Sequence, residues 1–480
     1  MDEYSDMKII GVIASESSDT NARVILNEHE EVNVKAEDLV LVENRDSSLV
    51  MAVLRSGHGS NENLMPGGYH PGVAFARVGG KPSTAKETYD FALTVIGEVG
   101  KEVKQNKKII TPGCEVRIFD DDHDPMRLLS GNGNNDTLAH YEGHPNWKVP
   151  VQTKFVPYHI GIFASTGGGK SYLARHQAIP LLEKAGYSVL ILDWKGRDYA
   201  TYYPKDRVLS ISDLAFDPDT VARYLVKKMG NFGYYGSSGS VIQAVEEVVL
   251  IDKWRGLSPG EFRQMLETSV IKEVNPNKVM SGKPKEEEQR FKRGLSRLKN
   301  EDIQNILGTK KPEDLIKEVQ KKNVLVVDMK KTGRDEKLAM FLTLANYLME
   351  QMQNDEDLDL AVVIDEAPQY CPFKPDGIQN QTTEIIIDMC ALGRTHKLCM
   401  CLLSQGIAGE IGINAAVRRN LNTQFVGKIH PLDMNEAANW LAPYNIDPKF
   451  LLSLPPGHFY FMGSMNVSPI PLLITFSLSG

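Results

Sequence analysis

The chain has 480 residues, a formal net charge of −8 and 42% hydrophobic residues. At roughly 150 residues per domain, that length holds about three domains, or two with insertions, each large enough to bury a core. The acidic balance argues against a surface evenly coated in DNA-binding charge, although basic residues confined to an inner channel remain compatible with it, and the longest apolar runs are strand length, well short of the roughly 18 residues of a membrane span.

The opening segment, MDEYSDMKII, is acidic and has no long apolar stretch, so no signal peptide, no membrane association and a cytoplasmic location are expected. Residues 1–120 read as β-rich. The runs MKIIGVIA, NARVIL, DLVLVEN, SLVMAVL, FARVGG, TYDFALTVIGEV and CEVRIF alternate with polar turns and predict a small barrel or sandwich. Residues 121–150 change character, with DDHD, SGNGNNDT and GHPNWKVP, and are expected to form a linker or mobile loop.

From residue 151 to 480 the pattern is α/β. The continuous apolar runs HIGIFA, YSVLILD, NVLVVDM, LAVVIDE, KLCMCLLSQ and TQFVGKI alternate with helical stretches, as expected for a largely parallel sheet covered on both faces. A long helical insertion is expected at about 213–322. Five cysteines without a C-x-x-C pair read as buried apolar side chains in a reducing compartment. Cys399 and Cys401, within one strand, are expected on opposite faces.

The strongest local signal is Ala164-Ser-Thr-Gly-Gly-Gly-Lys170-Ser171, which matches G-x-x-x-x-G-K-[ST] except for Ala164 at the first glycine. Gly167, Gly168 and Gly169 free the backbone N–H groups to turn inward, and the following helix adds its positive N-terminus. Ser165, Thr166, the three glycines, Lys170, Ser171 and Tyr172 are therefore the candidate binding segment for ATP. Lys170 is placed on the β/γ-phosphates and Ser171 on Mg²⁺. Pro180 should kink or end the helix.

AVVIDEAPQY places Asp365 and Glu366 at a strand's carboxyl end. There Asp365 suits a Mg²⁺ ligand acting through water, and Glu366 suits polarisation of the attacking water. A solvated turn would use the same residues. Ser404 and Gln405 end another strand, where a polar side chain can sense the γ-phosphate or merely cap the strand. Arg394, and Arg418 with Arg419, precede strands. An arginine supplied to a neighbouring subunit's ATP would neutralise transition-state charge, and an ordinary surface role fits each equally.

Taken together, these residues resemble the HerA–FtsK superfamily, and HerA in particular. The likeness runs through GHPNWKVPVQTKFVPYHIGIFASTGGGKS, LILDWKGRDY, VVIDEA, LGRTHKLCMCLLSQ, RRNLNTQFVGKI, LLSLPPGHFYFMG and PIPLLITF. It implies a RecA-like P-loop ATPase core behind a small N-terminal β-barrel. By position it implies Lys170 and Ser171 on phosphate and metal, Asp365 on the metal, Glu366 as base, Gln405 as sensor, Arg394 as the first trans-acting arginine and Arg419 as the second. It further implies a homohexamer that encircles and moves duplex DNA, partnered with a NurA-type nuclease in double-strand-break resection or with another effector enzyme. A secretion or conjugation ATPase, and a ring scaffold for an antiviral effector, are the competing roles. Two features depart from the family pattern: Ala164, and SQGIAGEIG in place of an Arg-Pro-containing loop.

Two basic stretches qualify as DNA-contacting surfaces. Between residues 276 and 300, Lys278, Lys283, Lys285, Arg290, Lys292, Arg293, Arg297 and Lys299 face only Glu286, Glu287 and Glu288 in opposition. A solvated helix with Glu-to-Arg pairing fits the same pattern. Lys330, Lys331 and Arg334 follow a strand end.

Overall fold

The structure is a computed structural model. It describes residues 4–65, 70–81, 83–84, 87–131, 136–230, 238–251, 253–273, 284–330 and 332–476. The first strands are β1 (Ile9–Ile13), β2 (Asn21–Leu26), β3 (Leu39–Glu43), β4 (Leu49–Asn61), β5 (Glu87–Val99) and β6 (Glu115–Ile118). They close into an antiparallel barrel in the order β1-β2-β5-β4-β3-β6, with β6 returning to β1. Alternation drives this: in β2 the pattern is strictly exposed-buried, and Ala22, Val24 and Leu26 point into the barrel. FARVGG, expected as a strand, is instead the end of a helix, Pro71–Arg77, and its following turn. Proline at the first helical position and an alanine-containing run favour a helix there.

The second body is one sheet of eleven strands. Its members are β7 (Thr137–Tyr141), β8 (Lys148–Pro150), β9 (Ile160–Phe163), β10 (Ser188–Asp193), β11 (Val208–Ser210), β12 (Val324–Asp328), β13 (Leu360–Ile364), β14 (Leu398–Ser404), β15 (Thr423–Val426), β16 (His458–Gly463) and β17 (Leu472–Thr475). The order is β11-β12-β10-β13-β14-β9-β15-β16-β17-β7-β8, parallel from β11 through β15 and antiparallel beyond. The parallel strands are covered on both faces. In β13, Leu360, Val362 and Ile364 enter one core while Ala361 and Val363 enter the other. Six helices from Pro218–Lys228 to Pro312–Lys322 fill the described part of the insertion between β11 and β12.

Three further expectations change. The described part of 121–150 is not a linker: it forms the helix Pro125–Ser130 and then β7 and β8 on the sheet edge, with Tyr141, Trp147 and Val149 buried. Its glycine- and asparagine-rich middle, 132–135, lies outside the described residues. Cys399 and Cys401 share one face, as residues two apart in a strand must, and enter the same core as Leu403. Pro180 does not end its helix. A π-helical turn, Ala174–Ala178, precedes it, and helix continues through Ile179–Lys184. The wider turn accommodates a ring that lacks an N–H.

The barrel is fastened to the sheet. Its outward residues Leu39, Leu41, Met51, Val53 and Ile96 join the core that contains Tyr141, Trp147 and Phe461. No helix among the described residues is long and apolar enough to cross a membrane.

Candidate active site

The strand order fixes the site. The glycine loop leaves the end of β9, Asp365 and Glu366 leave the end of β13, and β14 runs between them and delivers Gln405. All three strands are parallel, so these ends meet on one edge of the sheet. Loops at strand carboxyl ends are where open α/β sheets bind ligands.

The loop turns at Gly167 (φ 79°) and Gly169 (φ 99°), in the left-handed region that favours glycine. At Gly168 a side chain would stand 2.9 Å from the Ala164 methyl. At Gly427, on the neighbouring strand end, a side chain would stand 3.1 Å from that same methyl. Ala164 thus fits because two glycines leave room for it. Lys170 Nζ donates to the Ala164 carbonyl at 2.6 Å. Burial lowers the pKa of this ammonium, while Glu366 and Asp365 oppose the shift. Ser171 follows Lys170 in the first turn of the helix Lys170–Leu173. The Tyr172 ring stacks parallel on Phe476, centroids 5.7 Å apart, and close to His176, so its aromatic face is committed to packing.

Asp365 is 3% exposed. Burial raises its carboxyl to about 7, with Glu366, Asp198 and Asp193 adding to the push. Its Oδ2 is buried and has no hydrogen-bond partner among the described residues. An unpartnered buried carboxylate oxygen fits a cation. Oxygens of Asp193, Asp198 and Asp365 lie within 4.8 Å of one another. The Asp193 oxygens already accept from the N–H groups of Gly196, Tyr199 and Ala200, each at 2.9 Å, so Asp193 chiefly pins its own turn. Asp198 was not among the residues expected here. Its signal, an acid five residues beyond the β10 aspartate, is legible only once the turn is folded back.

Glu366 adopts a left-handed backbone, φ 55° and ψ 48°, a conformation that costs a non-glycine residue and clusters at functional sites. Gln405 Nε2 donates to Glu366 Oε1 at 2.9 Å and to Oε2 at 3.0 Å. Thr166 in turn donates to Gln405 Oε1 at 3.0 Å. The second donor to Glu366 is Lys195, from the turn after β10, another residue that sequence reasoning did not single out.

Arg394 and Arg419 lie elsewhere. Both precede strands parallel to β9, so they occupy the opposite edge of the sheet from the glycine loop. Arg394 is exposed, its guanidinium 5.2 Å from the Tyr158 ring centroid just before β9. Arg419 is exposed on the helix Ala415–Asn420. Its neighbour Arg418 is structural: it donates to the Ile407 carbonyl at 2.7 Å and pairs with Glu436 at 3.1 Å. Asp433 accepts from the N–H groups of Ile407 and Ala408 at 3.1 and 3.0 Å, so the SQGIAGEIG loop is pinned from two sides.

The basic stretches are partly neutralised. On the helix Pro284–Arg297, Lys292 pairs with Glu288 at 2.8 Å, and Phe291 and Leu295 are buried. Lys278 and Lys283 lie outside the described residues, as do Lys331 and the side chains of Lys285, Glu286 and Glu287. Lys330 is exposed at the end of β12, and Arg334 lies 3.9 Å from Asp376.

Residues 138–351 match the family described as the central domain of helicase HerA. A probable DNA double-strand break repair helicase HerA from Methanocaldococcus jannaschii is 33% identical over 122 residues, 25% of this chain. The match spans about a quarter, 24%, of that relative's length. Among solved structures, VirB4 of Thermoanaerobacter pseudethanolicus aligns with 73% of this chain and 98% of its own at 15% identity and a TM-score of 0.49. The bacterial conjugative coupling protein TrwB aligns with 76% of this chain and 93% of its own at 13% identity and a TM-score of 0.44. The glycine loop, Asp365, Glu366 and Gln405 are thus gathered on one edge of a largely parallel sheet that packs on a closed barrel, and residues 138–351 of this chain are similar to the central domain of helicase HerA.

Proposed function

We propose that this chain hydrolyses ATP at the subunit interfaces of a homo-oligomeric ring, six-membered by its family likeness, and uses the cycle to move duplex DNA. The observation that carries the reading is the split site. Lys170, Ser171, Asp365, Glu366 and Gln405 converge on one edge of the sheet, while Arg394 and Arg419 stand on the other. An arginine so placed can serve a γ-phosphate only on another subunit.

Within one site the roles follow from chemistry. The loop N–H groups and Lys170 hold the β- and γ-phosphates. Ser171 and Asp365, with Asp198 beside them, would hold Mg²⁺, which when bound neutralises phosphate charge. Glu366 accepts the proton of the attacking water, and Gln405 links that carboxylate to the glycine loop through Thr166. Arg394, or failing it Arg419, supplies transition-state charge from the neighbour. The name of the HerA relative supports DNA as the track and double-strand-break repair as the setting; the partner proposed from the family resemblance is a nuclease of NurA type or another effector enzyme.

The test is the ATPase rate of the full chain with and without blunt duplex DNA, with Lys170→Ala as control and electron microscopy to count subunits. Turnover that depends on Lys170 and rises with DNA, from closed rings, supports the proposal. Turnover indifferent to duplex DNA would leave an ATPase that is not a DNA motor.

A further inference from the structure

We propose that Lys195 is a γ-phosphate switch: its ammonium alternates between Glu366 and the γ-phosphate of bound ATP, releasing the base only when ATP rather than ADP is present. The inference rests on the reading of Glu366 as the base.

The turn that carries Lys195 is held rigidly on both sides. Before it, Trp194 lies under the Lys337 ammonium, 4.4 Å from the indole centroid, and packs edge-on to Tyr370. Lys337 Nζ also donates to the Trp194 carbonyl at 2.6 Å. After it, Gly196 (φ 62°) is so enclosed that a side chain would stand 2.7 Å from Lys330 Cβ, besides meeting the Asp328 carboxylate. Three N–H bonds to Asp193 close the turn. The backbone at Lys195 is therefore fixed, and its flexible side chain, 50% exposed, is the part that can move.

That side chain reaches the site. It donates to Glu366 Oε1, the oxygen that also accepts from Gln405 at 2.9 Å. Gln405 accepts from Thr166, which lies in the phosphate loop. Lys195, Glu366, Gln405 and Thr166 thus form one hydrogen-bonded chain ending on the glycine loop. A carboxylate held by an ammonium and an amide has its lone pairs engaged and is poorly placed to accept a water proton. A γ-phosphate entering beside Thr166 and Lys170 offers Lys195 a more highly charged acceptor than Glu366. Lysine suits the exchange because its compact charge sits on a flexible stem with three rotatable donors. ADP lacks the γ-oxygens and leaves the ammonium on Glu366.

The experiment measures ATPγS and ADP affinities and kcat for the full chain, for Lys195→Met and for Lys195→Arg. A charge-assisted hydrogen bond to phosphate corresponds to about tenfold or more in affinity. Lys195→Met should lose on the order of tenfold in its preference for ATPγS over ADP while keeping its ADP affinity, and kcat should fall. Lys195→Arg should restore much of the preference. An unchanged ATPγS-to-ADP ratio in Lys195→Met overturns the switch, whether or not kcat falls. Lys170→Ala run beside these separates the two readings: if it retains wild-type turnover, the hydrolysis site itself is misassigned. If it is inactive while Lys195→Met keeps the wild-type ratio, only the switch fails.

Discussion

Gln405 binds both carboxylate oxygens of Glu366, at 2.9 and 3.0 Å, and takes a hydrogen bond from Thr166 of the glycine loop at 3.0 Å. It can do this because β14 lies between the strands that carry the other two residues. Gln405→Ala removes the link, and with it the Thr166 hydrogen bond, while leaving the loop glycines and Lys170 in place. Hydrolysis is expected to fall about 10- to 100-fold while ATP affinity stays within a few-fold, a loss at or below the low end of the roughly 10²–10⁴-fold that general-base assistance supplies, because Glu366 itself remains. Single-turnover hydrolysis alongside equilibrium nucleotide binding checks this. A parallel loss of binding would make Gln405 a structural strand cap.

Asp365 carries a buried oxygen with no hydrogen-bond partner among the described residues and a carboxyl raised to about 7 by burial, then by Glu366, Asp198 and Asp193. A group whose folded pKa lies above its unfolded value weakens the fold as pH rises from the unfolded pKa toward the folded one, and the penalty is complete above the folded pKa. At pH 8, in chelator and without nucleotide, Asp365→Asn is therefore expected to raise Tm. With ATPγS and Mg²⁺ added, the order should reverse, because the wild type gains binding energy that the variant cannot. Thermal unfolding under the two conditions reads both signs, and a variant less stable than wild type in chelator would refute the burial argument.

Much of this site was legible in the residue order. Glycine spacing after an apolar strand marks a phosphate loop, and two acids after LAVVI mark a strand end, because both signals are local. The partners that complete the site were not legible. Lys195 and Asp198 sit in a turn whose course is set by Asp193 accepting three backbone N–H groups, a geometry with no sequence period. The same holds for the edge strands: 121–150 is rich in turn residues, yet Trp147, Tyr141 and Val149 are buried when β7 pairs with β17, more than 300 residues later in the chain. Long-range pairing overrides local polarity there.

Arg55 and Glu37 join the barrel to the ATPase body. Arg55 is 1% exposed and pairs with both Glu37 oxygens, at 3.1 and 3.2 Å. It also donates to the carbonyls of Tyr444 at 2.9 Å and Pro471 at 2.5 Å, while the Tyr460 hydroxyl donates to Glu37 at 2.9 Å. Arg55→Met leaves a buried carboxylate unpaired and is expected to cost about 3–5 kcal/mol. Arg55→Met combined with Glu37→Gln should cost less than the single change, because no charge is stranded. Denaturant unfolding of the three proteins checks the order. Equal stability of Arg55→Met and wild type would mean that the barrel is not held through this pair.

We propose that each ATP is completed by a neighbour's arginine. Arg394 lies beyond the start of β9 and Lys170 beyond its end, so the two cannot meet within one chain. Lys170→Ala supplies an arginine but no working phosphate site, and Arg394→Ala supplies a working site but no arginine. Each alone should be nearly inactive, since a trans-acting arginine is worth roughly 10³–10⁵ in turnover. The direct measurement is ATPase activity of the two variants mixed after subunit exchange has been demonstrated. Activity well above either parent is the expected result. Activity at the level of the parents, with exchange confirmed, would contradict trans action by Arg394.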